Sequence, residues 1–150
     1  MDTHSMTVDQ LDALVAEKVM GLHVEWINGC PMWVGKDLPG SPYVLGDGRF
    51  GHTLESYSTD IRAAFEVAAR VDLFKNCRHL HQNRERMKGS DKLGEWEWVV
   101  EEVFEPMDKN HILGRGSTAP LAICRAAIEI VLDAEANRDC DGSDETVKSV

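Results

Sequence analysis

Between Ala119 and Ala136 apolar side chains recur so densely that only one narrow polar stripe remains, formed by Arg125, Glu129 and Asp133 at intervals of four. Leu121, Ile123, Cys124, Ala127, Ile128, Ile130, Val131 and Leu132 cover the rest of the circumference, which predicts a helix buried on most sides, lying across a sheet or between other elements. Ser117 and Thr118 supply capping hydroxyls and Pro120 suits its first turn. Earlier in the chain, Thr7-Val-Asp-Gln10 is a capping-box pattern followed by Leu11, Leu14, Val15, Val19 and Leu22 at helical spacing, with Gly21 as the stop. The first helix is therefore expected over residues 8 to 20. A third helix opens at Tyr57-Ser-Thr-Asp60, with Ile61, Ala64, Phe65, Ala68 and Val71 along its expected apolar face.

Elsewhere the period changes or vanishes. Glu95-Trp-Glu-Trp-Val-Val-Glu-Glu-Val-Phe104 alternates apolar and acidic positions, the period of a half-buried strand. Residues 75–94 hold six basic and two acidic side chains, whereas residues 95–108 hold six acidic and none basic. The contrast predicts a hairpin whose first limb runs from about Cys77 to Met87, with Arg86 opposite Glu97 and Lys88 opposite Glu95. His111-Ile-Leu113 is expected as a short strand leading into the apolar helix. From 23 to 55 turn signals at Asn28-Gly, Cys30-Pro, Leu38-Pro-Gly, Ser41-Pro and Gly46-Asp-Gly leave no sustained period, so this segment is expected as a long loop insertion. It carries Trp26, Met32, Trp33 and Tyr43. Residues 1–136 are read as one domain, and 137–150 as a flexible acidic tail.

Composition narrows the classes. A formal net charge of −10 over 150 residues argues against a nucleic-acid groove or an anionic membrane as partner, since both demand a clustered basic face. No apolar run approaches twenty residues and no signal-peptide pattern opens the chain, so a cytoplasmic location is expected. Cys30, Cys77, Cys124 and Cys140 lack pairwise metal-ligand spacing and read as free thiols in a reducing compartment.

The segments Leu11-Asp-Ala-Leu-Val-Ala-Glu-Lys-Val-Met-Gly21, Tyr57-Ser-Thr-Asp-Ile-Arg-Ala-Ala-Phe-Glu-Val67 and Thr118-Ala-Pro-Leu-Ala-Ile-Cys-Arg-Ala-Ala-Ile128 together resemble the signature segments of the phage ABA-sandwich domain family. The resemblance implies a phage or prophage origin, an infected host cell as the setting, and an α+β fold: an α/β/α sandwich of a small, largely antiparallel sheet with about three helices. It carries over no catalytic residues.

Candidate chemistry is sparse. Cys77, His79 and His81 would share one strand face and are usable metal ligands, but three on one strand do not close a tetrahedral site, and no spacing selects a fourth among Cys30, His23 and His52. No metal or cofactor is assigned. Cys124 is expected to be a small buried hydrophobe. Ser58 and Ser117 lie in no nucleophile elbow, and Gly46-Asp-Gly-Arg-Phe-Gly51 matches no phosphate-binding fingerprint. The stronger lead is the pair of helix entrances, where Tyr57, Ser58 and Thr59, and Arg115, Ser117 and Thr118, offer donors to an anion. Trp26 and Trp33 would stack on a planar body. The expected function is a small, non-enzymatic phage accessory protein that binds a host component or a small anionic, nucleotide-like ligand. The alternatives are a metal-dependent hydrolase built on Cys77, His79 and His81 with Glu101 and Glu102, or a structural oligomer. Self-association is expected in any case, through strand edges and Trp96 and Trp98.

Overall fold

The computed structural model describes residues 2–35, 43–45, 49–75, 78–84, 94–103 and 110–148, with side chains described through Arg138 except at Asn110. After a 3-10 turn at Thr3–Ser5, the described elements are α1 (Val8–Lys18), β1 (Val24–Ile27), β2 (Cys30–Gly35), β3 (Tyr43–Val44), β4 (Phe50–Thr53), α2 (Ile61–Arg70), β5 (Arg78–Asn83), β6 (Glu97–Val103), β7 (Asn110–Gly116) and α3 (Ala119–Lys148). The fold is α+β with three helices, as the pattern predicts. Its strands form two antiparallel sheets, β1-β2-β4-β3 and β5-β6-β7. Helix α1 lies against β1 and β2, α3 lies against β6 and β7, and α3 also packs on both α1 and α2.

Local chemistry explains the helix starts. The Thr7 hydroxyl accepts from the Gln10 amide at 3.2 Å while the Gln10 side chain accepts from the Thr7 amide at 3.0 Å, completing the capping box. Asp60 caps α2 through the Arg62 amide at 3.0 Å. Gly21, at φ 72°, takes the left-handed conformation just after α1 that glycine reaches without steric cost.

Helix α3 is the shared wall of two cores. Cys124, Ala127 and Ile128 pack with Leu11, Val15, Ala16 and Val19 of α1, Val24 of β1 and Val67 of α2. Ala122, Ile123 and Ala126 pack with Ala64 and Ala68 of α2, Leu73 and Val100. The near-complete apolar circumference predicted for this helix is used in full. Its backbone continues helical to Lys148, so 137–148 extends α3 where the sequence pattern predicts a structureless tail.

Three further expectations are corrected. The described part of segment 23–55 is not a plain loop insertion: it builds β1 to β4. The sequence signal was present in Asn28-Gly29, whose positive φ values of 52° and 78° make the two-residue turn joining β1 to β2, flanked by the β-prone runs Val24–Ile27 and Cys30–Gly35. On α2 the buried residues are Ala63, Ala64, Val67 and Ala68, whereas Ile61 and Phe65 are 44% and 50% exposed. Small side chains win the inner face because they let α2 approach α3 closely, and Phe65 instead meets Phe74 with ring centroids 6.4 Å apart. The hairpin exists, β5 pairing antiparallel with β6, but Glu97 stands opposite Asn83 and receives its hydrogen bond from Arg115 of β7 at 2.7 Å. Arg86 and Lys88 lie outside the described residues.

Strand β7 approaches α3 with almost no side chain between. A Cβ on Gly114 would stand 2.4 Å from the Ala122 carbonyl oxygen and 2.5 Å from the Ala126 nitrogen, and one on Gly116 would stand 2.8 Å from Leu121 Cβ. Backbone atoms cannot give way as a flexible side chain can. Gly114→Ala is therefore expected to cost about 3 kcal/mol, read as a lowered urea midpoint in equilibrium unfolding; an unchanged midpoint would refute the tight approach.

Candidate functional site

The side chains proposed from sequence do not converge. Trp26 and Trp33 sit in the four-stranded sheet on the face that also carries Val24. Trp26 is 51% exposed, and the half-buried Trp33 meets His52 with ring centroids 5.2 Å apart. Arg115 belongs to the other sheet, where its guanidinium donates to Glu97. Ser117 and Thr118 are exposed at the start of α3, and Thr118 accepts from the Leu121 amide at 3.4 Å, so its oxygen serves its own helix. Arg125 adds a second local tie, donating to the Arg115 carbonyl at 2.7 Å. Desolvation lowers the Arg125 pKa.

The other helix entrance is closed by burial and by charge. Tyr57 and Ser58 are 3% and 2% exposed, beyond the reach of a ligand in solvent. Burial pushes the Tyr57 phenol up to about 12, which keeps it neutral. Thr59 is exposed and its hydroxyl donates to the Ser56 carbonyl at 3.5 Å. Asp60 occupies the position an anion would take, and Glu55 close by has its pKa raised by desolvation and by the neighbouring carboxylates Glu66 and Asp60. This entrance repels anions.

Beneath it lies a carboxylate that sequence reasoning overlooked. Asp12 of α1 is 5% exposed and accepts from the Ser58 amide at 2.8 Å, pinning the 57–58 turn to the first helix. Its neighbours in α1 gave no signal, because an aspartate at helical spacing reads as a surface residue unless the turn that covers it is known.

Two surfaces remain. The outer face of the four-stranded sheet, away from α1, is concave. Ile27, Asn28, Cys30, Pro31, Met32, Tyr43, Leu45 and Thr53 line a depression of about 420 Å³. Gly51 lies beneath, where a Cβ would meet Met32 Cε at 3.2 Å and Leu45 Cδ2 at 3.3 Å. On the same face Arg49 donates to both Glu25 oxygens, one at 3.1 Å, and this hydrogen bonding lowers the Glu25 pKa. Antiparallel sheets with one solvated face ordinarily alternate apolar-in and polar-out, so an apolar outer hollow departs from that pattern.

The outer face of the three-stranded sheet is polar. His79 and His81 are two apart on β5, and Glu101 stands directly opposite His79 on β6. His81 Nε2 and a Glu101 oxygen are 2.6 Å apart, and the two imidazoles stack with centroids 5.0 Å apart. Glu102 faces the other way and accepts from Arg78 Nε at 3.0 Å, while Cys77 lies outside the described residues. The imagined hydrolase set is thus split by the strand's alternation: Glu101 joins the histidines and Glu102 does not. Cys124 is fully buried and its thiol is pushed up to about 12 by desolvation, which rules it out as a nucleophile at neutral pH.

These features define a small α+β sandwich domain with, among the described residues, no assembled nucleophile, base and oxyanion donor set. The chain belongs to the phage ABA sandwich domain family, whose family model matches residues 13–128. A solved phage protein from Bacillus cereus ATCC 14579 is similar over 87% of this chain and 93% of that one, with 18% identity and a TM-score of 0.46. No curated protein matches the chain. No described helix is long and apolar enough to cross a membrane.

The Asp12 contact makes a signed prediction. Burial raises the Asp12 pKa above its usual 3.8, so between that value and the folded-state value the folded protein binds more protons than the unfolded chain, and this group's contribution to stability falls as pH rises. Asp12→Asn keeps an acceptor for the Ser58 amide and removes the charge, so its stability relative to the unmodified protein should improve from pH 3 to pH 7. Asp12→Ala strands the amide and should cost about 1–3 kcal/mol at neutral pH. Denaturant midpoints of the three proteins across that range check both expectations.

Proposed function

We propose that this phage protein is a non-enzymatic accessory protein that binds a small, planar, nucleotide-like ligand on the outer face of its four-stranded sheet, acting in the cytoplasm of the infected cell. The observation that carries the reading is the hollow lined by Met32, Tyr43 and Leu45, whose volume of about 420 Å³ falls within the range of small-ligand sites. Its chemistry supports a flat body: Tyr43, 63% exposed, offers a ring face, Met32 and Leu45 offer apolar walls, and Asn28 and Thr53 offer polar groups. The reading sets the ligand away from the helix entrances, where Tyr57 and Ser58 are buried and Thr118 accepts from an amide of its own helix. The charged end of such a ligand would project past the rim, so affinity should come from the base more than from the phosphate.

We also propose self-association. Phe65, Phe74 and Ile61 leave apolar surface on α2 and the turn after it, and β1, β3, β5 and β7 are edge strands. Sedimentation velocity across a concentration series tests this, with a single monomer boundary throughout as the refuting result.

Calorimetry against matched nucleobases, nucleosides and nucleotides tests the ligand. At least one base series should bind, with similar affinity for nucleoside and nucleotide. Tyr43→Ala and Met32→Ala should each cost about 1–3 kcal/mol of affinity with little change in melting temperature. Arg115→Ala should leave binding unchanged. Silence across the panel would remove the small-ligand reading and leave a host protein as the partner.

A further inference from the structure

The outer face of the three-stranded sheet leads to a different chemistry, independent of the hollow. In the β5–β6 ladder, His79 is the register partner of Glu101, and His81 is the partner of Val99, so alternation places His79, His81 and Glu101 together on the outer face. One ligand atom from each of the three lies within 4.8 Å of the others. A tetrahedral ion with bonds of about 2.0–2.1 Å separates its ligands by about 3.4 Å. The 2.6 Å contact between His81 and Glu101 is closer than that and no separation exceeds 4.8 Å, so the three ligand atoms already lie near the spacing an ion needs.

We propose that His79, His81 and Glu101 form a binding site for a late divalent transition ion, of which Zn²⁺ is the representative. Two imidazoles and one carboxylate are the donor set such ions favour over Mg²⁺ or Ca²⁺, which prefer all-oxygen shells. Three observations favour a site over a plain surface ion pair. First, one carboxylate already engages His81, and His79 stacks beside the pair with its ring centroid 5.0 Å from that of His81, so both imidazoles lie next to the same carboxylate. Second, Glu101 is largely shielded, its side chain only 13% exposed, which strengthens its attraction for a cation. Third, Val99, between His81 on one side and Arg115 on the other in the ladder, is fully buried and gives the face an apolar floor. The ligands come from two adjacent strands, so the ion would staple the edge strand β5 to β6 and keep a coordination position open to water or to an outside donor.

The test uses the full chain, freed of metal by a chelator, and Zn²⁺ alone. Calorimetry should give one strong site per chain, and Co²⁺ in its place should give the intense visible absorption of a four-coordinate ion. His79→Ala, His81→Ala and Glu101→Gln should each weaken Zn²⁺ at least tenfold, while His111→Ala and Cys30→Ser change it less than twofold. Saturating Zn²⁺ should raise the melting temperature of the unmodified protein and not that of His81→Ala. His79 is exposed, so its alanine variant keeps the core intact and its loss of binding cannot be ascribed to unfolding. Absence of saturable binding overturns the proposal. Binding that survives all three substitutions, or that follows Cys30, overturns it equally.

Discussion

Strand β7 and helix α3 touch backbone to backbone, and the rest of the molecule is arranged around that contact. Gly114 and Gly116 face the turn of α3 that carries Leu121, Ala122 and Ala126, so the sheet lies nearly flush on the helix. A side chain there would push sheet and helix apart and open a gap along Val100 and Ile123, both fully buried. Closeness on one side of α3 is matched by alanines on the side facing α2. The helix can therefore serve two cores at once, one with α1 and one with the three-stranded sheet.

Because α3 and its partner helices absorb most of the apolar side chains, the outer faces of the two sheets are left to differ. The four-stranded sheet carries an apolar hollow lined by Met32, Tyr43 and Leu45, and the three-stranded sheet carries a row of ionisable groups, with His81 on Glu101 and Arg115 on Glu97. Both contacts are part-buried, and a surface pair of this kind contributes little to stability, about 0–1 kcal/mol. Their arrangement matters more for what the face can recognise than for what holds it together. The sheets thus carry the side chains that packing leaves over, while the helices are largely consumed by packing.

The helix entrances illustrate why. A helix start draws an anion through unpaired amides, and here Thr7, Asp60 and Thr118 each satisfy an amide of their own helix. The turn before α2 goes further inward: Ser58 gives its amide to buried Asp12, so the hydroxyl-rich run serves as a clasp between α1 and α2. Satisfying local backbone groups leaves fewer donors for a ligand.

The sequence by itself determined the helices, because their apolar period and caps are properties of contiguous residues: Thr7 to Gln10, Asp60, and the run from Leu121 to Leu132 all act where the pattern places them. It also pointed to a β5–β6 hairpin through a basic limb beside an acidic one, though not to its register, in which Glu97 faces Asn83, and the family followed from three such segments in order. Strands β1 to β4 were harder to see because each is short and interrupted by turns; only the Asn28-Gly29 hairpin carried a local signature. The tertiary structure alone decided which face of α2 turned inward, since Ala63, Ala64 and Val67 win over Ile61 and Phe65 through the closeness of α3. It alone put Glu101 beside two histidines some twenty residues away and set Glu102 on the opposite face, because strand register is fixed by pairing across the ladder. It separated Trp26 and Trp33 from Arg115 for the same reason: residues that look like one site along a sequence share a surface only if the sheets bring them to it.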